Sequence, residues 1–253
     1  TNPGLVQELV QSALKPVVED RLEDANTTAE KEEALLTISV CDPASGSGAF
    51  LIAANNFLAD QLARIRSDSD YPPEDQIREA RRDVLQHCIY AVDLNPMAVE
   101  LAKVSLWINS AVEDKPLNFL DHHIKCGNSL IGTNSKLLED EFPVDAYETS
   151  GGRDWHVGNE IRKRIRSENK ERSKGASESS LQQWGAGKEE YVDIAEQLDR
   201  IEEDDTEDVE KKKHLYNELR QSKAFQQEKL AYDIWTAAFY WPMDGSASEY
   251  PSP

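Results

Sequence analysis

The apolar positions change period along the chain, and each change marks an element. Leu5, Val6, Leu9, Val10, Ala13 and Leu14 recur at helical spacing. Lys15-Pro16 is expected to end or kink that helix, with Val17, Val18 and Leu22 starting a second short one. A polar break follows over 25–29. Leu35 to Asp42 is largely apolar with β-branched positions, the pattern of a buried strand. A glycine- and serine-rich turn, 43–48, leads into a helix with Phe50, Leu51, Ala54, Phe57, Leu58, Leu62 and Ile65 on one face. After a loop over 67–73 comes a charged amphipathic helix over 74–87. A second strand over 88–94 is closed by Asn95-Pro96, and a third helix covers 97–112, mostly apolar at Val99, Ala102, Val104, Leu106 and Trp107. A short strand over 122–126 runs into Gly127-Asn128-Ser129-Leu130.

Strands alternating with helices in this order predict an α/β fold, a Rossmann-like parallel sheet, over residues 1–145. Beyond about Pro143 the pattern is lost. Tyr147 to Gly187 is polar and charged, and 189–230 returns to helical spacing at Tyr191, Ile194, Leu198 and Ile201. Asp204-Asp205-Thr206 is expected to form the turn and N-cap of a long helical hairpin, so 146–230 is predicted to be an insertion. Residues 231–253 open with an aromatic segment, 231–242, expected to return to the core domain.

Composition narrows the possibilities. The 253 residues carry 28 Lys+Arg against 48 Asp+Glu, a net charge of −20. Phosphate neutralisation supplies most of the affinity for DNA, so this chain is not expected to be the main DNA grip. A halophilic source or an acidic insertion would each produce such a balance. No apolar run is long enough for a bilayer, no secretory signal opens the chain, and the first residue is not Met, as expected of a piece of something longer. Cys41, Cys88 and Cys126 are too few and too scattered for a disulfide framework or zinc site. Each lies in or beside a strand-like run and is expected to be a buried core thiol in a reducing cytoplasm.

Candidate chemistry sits at three strand ends. A glycine turn between strand and helix lets backbone approach a ligand closely. Asp42 and Pro43, just before the turn, have no use in phosphate binding, whereas a carboxylate there suits an ammonium or sulfonium group. Leu51 also stands where a dinucleotide-binding turn would carry its third glycine. Asp93, ending the second strand, can accept from both hydroxyls of a ribose, since Asn95 is available to cap the next helix. Asn128, past the third strand, can pair with an adenine edge or simply form a turn. His87, His122, His123, His156 and His214 follow no metal-ligand spacing. The basic cluster Arg162, Lys163, Arg164, Arg166, Lys170, Arg172 and Lys174 fits a solvated helix with paired charges better than a phosphate contact. Trp107, Trp235 and Trp241 are expected in the core.

The residues 42–51, Asp-Pro-Ala-Ser-Gly-Ser-Gly-Ala-Phe-Leu, closely resemble motif I of the N6-adenine DNA methyltransferases. Tyr90-Ala91-Val92-Asp93-Leu94-Asn95-Pro96 resembles their motif II, Cys126 to Leu130 their motif III, and Thr1 to Val6 the start of motif X. The likeness is greatest to large fused restriction-modification and phage-defence enzymes, which carry a long helical spacer after motif III. The resemblance implies S-adenosylmethionine as cofactor, held by Thr1, Asp42, Pro43, Ala44, Ser45, Gly46, Ser47, Gly48, Phe50, Asp93, Leu94, Asn128, Ser129 and Leu130. Thr1 and the turn 45–48 would hold the methionine moiety, with Asp42 near its amino group. Asp93 would bind the ribose, Leu94 would pack on adenine, and Asn128, where the family more often has Asp, would read the adenine amino edge.

The family transfers a methyl group to the amine of a flipped-out adenine, held by an Asn/Asp-Pro-Pro-aromatic motif. That motif is not in this sequence. Tyr71-Pro72-Pro73-Glu74 has the wrong order and no following aromatic. Its expected place is just past Trp241-Pro242, so the chain is expected to be a cofactor-binding fragment truncated before the catalytic motif, and no catalytic residue is assigned. The implied partners are double-stranded DNA, gripped mostly outside these residues, and restriction or defence-system subunits, with no membrane. A protein or RNA methyltransferase, or a non-catalytic cofactor-binding scaffold, is the alternative reading.

Overall fold

The structure is a computed structural model and describes residues 2–134, 136–137, 160, 163–165, 167–168, 171, 194, 197–198 and 200–240. Helix α1 (Pro3–Leu22) begins at an Asn2 cap whose side chain accepts from Gly4 N at 3.0 Å. The expected break at Lys15-Pro16 does not occur. Pro16 removes one backbone donor, but Val6, Val10 and Val18 are all buried on one face, so packing on both sides of the proline carries the helix through.

The strand expected over 35–42 is shortened at its start, where Leu35 and Leu36 close a helix. Thr27 and Glu30 form a reciprocal capping box that nucleates α2 (Thr28–Leu36), and strand β1 keeps only Val40–Asp42. The carboxyl of Glu30 is lowered from its ordinary pKa by the backbone N–H groups of Asn26 and Thr27. Leu35 and Ile38 are still buried, so the apolar run does reach the core, by a different backbone.

The remaining elements lie close to their predicted places: α3 (Ala49–Ser67), α4 (Glu74–His87), β2 (Ile89–Asp93), α5 (Pro96–Ser110) and β3 (Ile124–Cys126). The three strands form one parallel sheet in the order β1-β2-β3, with Val40 opposite Ile89, Asp42 opposite Ala91, and Asp93 opposite Cys126. The chain is thus an α/β protein. Leu51, Leu58 and Leu62 of α3, Val84 and Leu85 of α4, Ile89, Leu106 and Ile124 make up much of the core. Helix α5 buries Val99, Ala102 and Leu106 while Leu101, Val104 and Ile108 stay exposed.

Only one cysteine matches the expected burial. Cys88 is buried, and burial pushes its thiol up to about 12. Cys41 and Cys126 are exposed. Cys41 shares a sheet face with the half-buried Tyr90 and Lys125, opposite the face of Val40, Ile89 and Ile124, and Cys126 ends its strand.

The chain divides into two compact units, Thr1–Ser129 with Leu198–Tyr216, and Leu130–Gln197 with Asn217–Pro253. Leu198–Tyr216 thus shares a unit with the sheet. As expected, a turn precedes α6 (Thr206–Gln221), where Asp205 accepts from Asp208 N at 2.9 Å. Within the first unit the Glu203 carboxylate is nearly inaccessible. It accepts from Asn118 Nδ2 at 2.9 Å and Phe119 N at 3.0 Å, and meets the fully buried Lys212 ammonium at 3.0 Å. The Arg82 guanidinium donates to the carbonyls of Glu203 and Pro116, and burial lowers its pKa despite nearby acids. His122 and His123 are packed beside this pair, His122 stacked on Phe119 and His123 tilted against Tyr90.

In the second unit, Ser222 accepts from Phe225 N at 3.2 Å and starts α7 (Lys223–Tyr240). The aromatic residues 231–240, expected to return to the core domain, lie in this helix and this unit, with Trp235 against Phe239 at 4.8 Å. Arg164 pairs with Glu168 at 3.8 Å one turn away, as the paired-charge reading of the basic cluster expects. Thr1, His156, Tyr191, Trp241 and the cluster members Arg162, Arg166, Lys170, Arg172 and Lys174 lie outside the described residues. Among the described residues no helix is long and apolar enough to cross a membrane.

Two stability predictions follow from the buried charges. Glu203→Ala strands the Lys212 ammonium and is expected to lower unfolding free energy by about 3–5 kcal/mol in urea titrations. The second concerns pH. Burial first, then the neighbouring positive groups Lys212 and Lys125, holds His122 down to about 2 and His123 to about 3, from 6.5. The unfolded chain therefore takes up protons that the folded one refuses, so stability is full above about pH 6.5 and falls as the pH drops below it. The urea midpoint should be lower at about pH 5 than at about pH 8, and the difference should shrink in a His122→Phe, His123→Phe double variant.

Candidate functional site

Because β1, β2 and β3 are parallel and adjacent, Asp42, Asp93 and the turn carrying Asn128 all lie at the same edge of the sheet. The turn after β1 is shaped by two glycines. Gly46 sits at φ +55 and Gly48 at φ +87, in the left-handed region that side chains resist. A Cβ on Gly48 would lie 3.4 Å from both Cα and Cβ of Ala102, so this glycine lets α3 start hard against α5. Gly48 caps α3 without a side chain, which leaves the first-turn N–H groups of that helix uncapped by any side chain.

The three tips are tied to one another. Ser45 N donates to Val92 O at 3.2 Å, and Gly46 N donates to Asp93 Oδ2 at 2.8 Å. The other carboxylate oxygen of Asp93 accepts from Asn95 N at 2.8 Å, and its carbonyl accepts from Gly127 N at 3.0 Å. The N–H groups of Asn95 and Gly46 hold the Asp93 carboxyl below its ordinary pKa. Ser129 Oγ donates to Pro43 O at 2.8 Å, joining the third tip to the first. Asn95 caps α5 by accepting from Met97 N at 3.0 Å, which frees Asp93 from that duty.

The other candidates fall as follows. Asp42 Oδ1 accepts from Ala44 N at 3.0 Å in an Asx turn, so one of its oxygens is occupied locally. Pro43, Ala44, Ser47 and Asn128 are exposed, and Phe50 is half-buried against the core. Leu94 is 69% exposed, and Leu130, 92% exposed, belongs to the second unit. Thr1 lies outside the described residues. Sequence reasoning missed the ties themselves and the exposed Cys126, whose thiol reaches Leu94 O at 3.8 Å on the same edge. A glycine-serine turn signals close approach, but no sequence pattern says which side chain fills it.

Two observations bear on whether a ligand fits here. The Ser45 hydroxyl is buried and has no hydrogen-bond partner. Cβ atoms built on Gly46 and Gly127 would meet nothing within 4 Å, so space lies open over both turns. A polar cleft elsewhere in the first unit is lined by Glu32, Arg66, Arg82, Asp83, Lys115 and Asp204 among others, and by none of the strand-tip residues. Within it Arg66 is paired with Glu32 and Asp83, and Lys115 with Asp204 at 2.7 Å.

Comparison with known proteins points one way. The Eco57I restriction-modification methylase family matches residues 87–236, more than half of the chain, and the MmeI DNA-methyltransferase domain matches 18–137. A protein of Methanocaldococcus jannaschii, provisionally named a type II restriction enzyme and methyltransferase, is 34% identical over 124 residues. That alignment spans 43% of this chain and 10% of the relative. The Escherichia coli type II restriction enzyme and methyltransferase RM.Eco57I is 31% identical over 132 residues, 45% of this chain and 13% of the relative. The chain thus spans about a tenth of the length of the relatives it matches. No solved structure matches it.

The glycine geometry gives a direct check on the turn. Gly46→Ala forces a left-handed alanine into open space and is expected to cost about 1 kcal/mol in urea unfolding. Gly48→Ala also forces a left-handed alanine, with its Cβ in ordinary contact with Ala102, and is expected to cost a similar amount, about 1–2 kcal/mol. No loss at either position would contradict the left-handed turn.

Proposed function

The chain belongs to the Eco57I restriction-modification methylase family, and we propose that it is the S-adenosylmethionine-binding part of an adenine-specific DNA methyltransferase of a restriction-modification or phage-defence system. The observation that carries this reading is the meeting of three strand tips, bearing Asp42, Asp93 and Asn128, at one sheet edge beside a glycine turn. The unpartnered Ser45 hydroxyl and the open space over Gly46 and Gly127 suit a bound small molecule. The sheet is then the first half of a Rossmann-like fold, whose ligands bind beyond the carboxyl ends of the strands.

When bound, S-adenosylmethionine supplies an electrophilic methyl group on a positive sulfonium. Asp93 accepts from the ribose hydroxyls with the acceptor capacity its two backbone donors leave over. Leu94 offers an exposed apolar surface to the adenine ring, and Asn128 pairs with its amino edge. The turn 45–48 and Asp42 receive the amino-acid end, with Pro43, Ala44, Phe50 and Ser129 shaping the surroundings and Thr1 and Leu130 assigned by resemblance only. No residue here is assigned to the transfer step, because the Asn/Asp-Pro-Pro-aromatic motif is not among the 253 residues.

The acidic surface, net −20, leaves the grip on double-stranded DNA to other parts of the enzyme. Restriction or defence-system subunits, acting in the cytoplasm, are the partners this reading implies.

The test is calorimetric. The 253-residue chain is expected to bind S-adenosylmethionine and S-adenosylhomocysteine, and to transfer no methyl group to DNA. A titration without heat, backed by no ligand-induced rise in melting temperature, would remove the cofactor from this site.

A further inference from the structure

We propose that Asp93 is a positioning residue for the amino-acid end of the cofactor, in addition to holding its ribose, because one carboxylate both fixes the glycine turn and faces the sugar. This rests on the reading of the strand tips as an S-adenosylmethionine site. The turn at Gly46 has nothing else to hold it from the side. Its Cβ direction is open to 4 Å, its φ is +55, and its N–H reaches across to Asp93 Oδ2 at 2.8 Å. The neighbouring bonds, Ala44 N to Asp42 and Gly48 N to Ser45 O, are internal to the turn, and Ser45 N to Val92 O and Ser129 Oγ to Pro43 O fix only its earlier half.

Asp93 is well placed to act as the anchor. Its second oxygen accepts from Asn95 N at 2.8 Å and its carbonyl from Gly127 N at 3.0 Å, so the side chain is set by backbone on both sides. Each carboxylate oxygen can take a second donor. Ribose hydroxyls would therefore use the atoms that already hold Gly46, and the two ends of one ligand would be coupled through a single side chain. The buried, unpartnered Ser45 hydroxyl lies in the same turn, so its placement depends on the same anchor.

The experiment compares Asp93→Ala with the parent 253-residue chain, using two probes. S-adenosylhomocysteine carries both ends and no net charge, whereas 5′-methylthioadenosine, also uncharged, has the same adenosine and no amino acid. Loss of ribose contacts alone weakens both probes by the same factor. Coupling weakens S-adenosylhomocysteine by about fivefold more than 5′-methylthioadenosine, the scale of one charge-assisted hydrogen bond at a part-exposed site. Amide hydrogen exchange at Gly46, measured without ligand, should also be faster in Asp93→Ala than in the parent. Equal losses for the two probes, or an unchanged Gly46 exchange rate, would overturn the proposal. A parent chain that binds neither probe removes the cofactor reading itself and this proposal with it, an outcome separate from equal losses in a chain that binds both.

Discussion

Parallel strands laid side by side in chain order must finish at the same edge of their sheet. That constraint brings residues 42, 93 and 128 together although long stretches of chain separate them. It also places the turns after the strands next to one another, where their backbone groups must find partners. They find them in each other: Gly46 in Asp93, Ser45 in Val92, Gly127 in Asp93 and Ser129 in Pro43. The close approach of Gly48 to Ala102 draws α3 and α5 together behind this edge. The candidate site is thus assembled by the sheet alone.

The same unit contains a second constraint of a different kind. Leu198–Tyr216 returns to the sheet after a long excursion, and buried charge holds it there. A buried ion pair contributes little net stability when intact but is costly to break, so it acts by fixing which segment docks and in which register. Glu203 does this with three donors, two of them on 118–119 in the stretch that leads into β3. His122 and His123, kept neutral by burial, fill the space beside it. The strand that carries the Asn128 turn is therefore braced from both of its ends.

Much of this was legible in the residues. The α3 and α4 patterns, the turns at 43–48 and 95–96 and the helix start after Asp205 were all marked by local chemistry, and local chemistry decided them. Where reading failed, a distant or competing term won. A capping box at Thr27 and Glu30 started a helix that took Leu35 and Leu36 from an apolar strand-like run. Burial on both sides of Pro16 overrode its breaking tendency. Cys41 and Cys126 looked like core thiols because strand residues usually are, yet alternation and a strand end left them exposed. The candidate ligand residues could be named from spacing, but their mutual hydrogen bonds could not, because no local pattern encodes a contact between Gly46 and Asp93. The Glu203–Lys212 pair was equally invisible, since it depends on a tertiary return.

The most direct measurement is a structure determined with S-adenosylmethionine bound to this chain. The account predicts one ligand spanning all three tips, with its amino-acid end at the 45–48 turn, its ribose on Asp93 and its adenine between Leu94 and Asn128. A ligand seated elsewhere, or touching only one of the three tips, would contradict it.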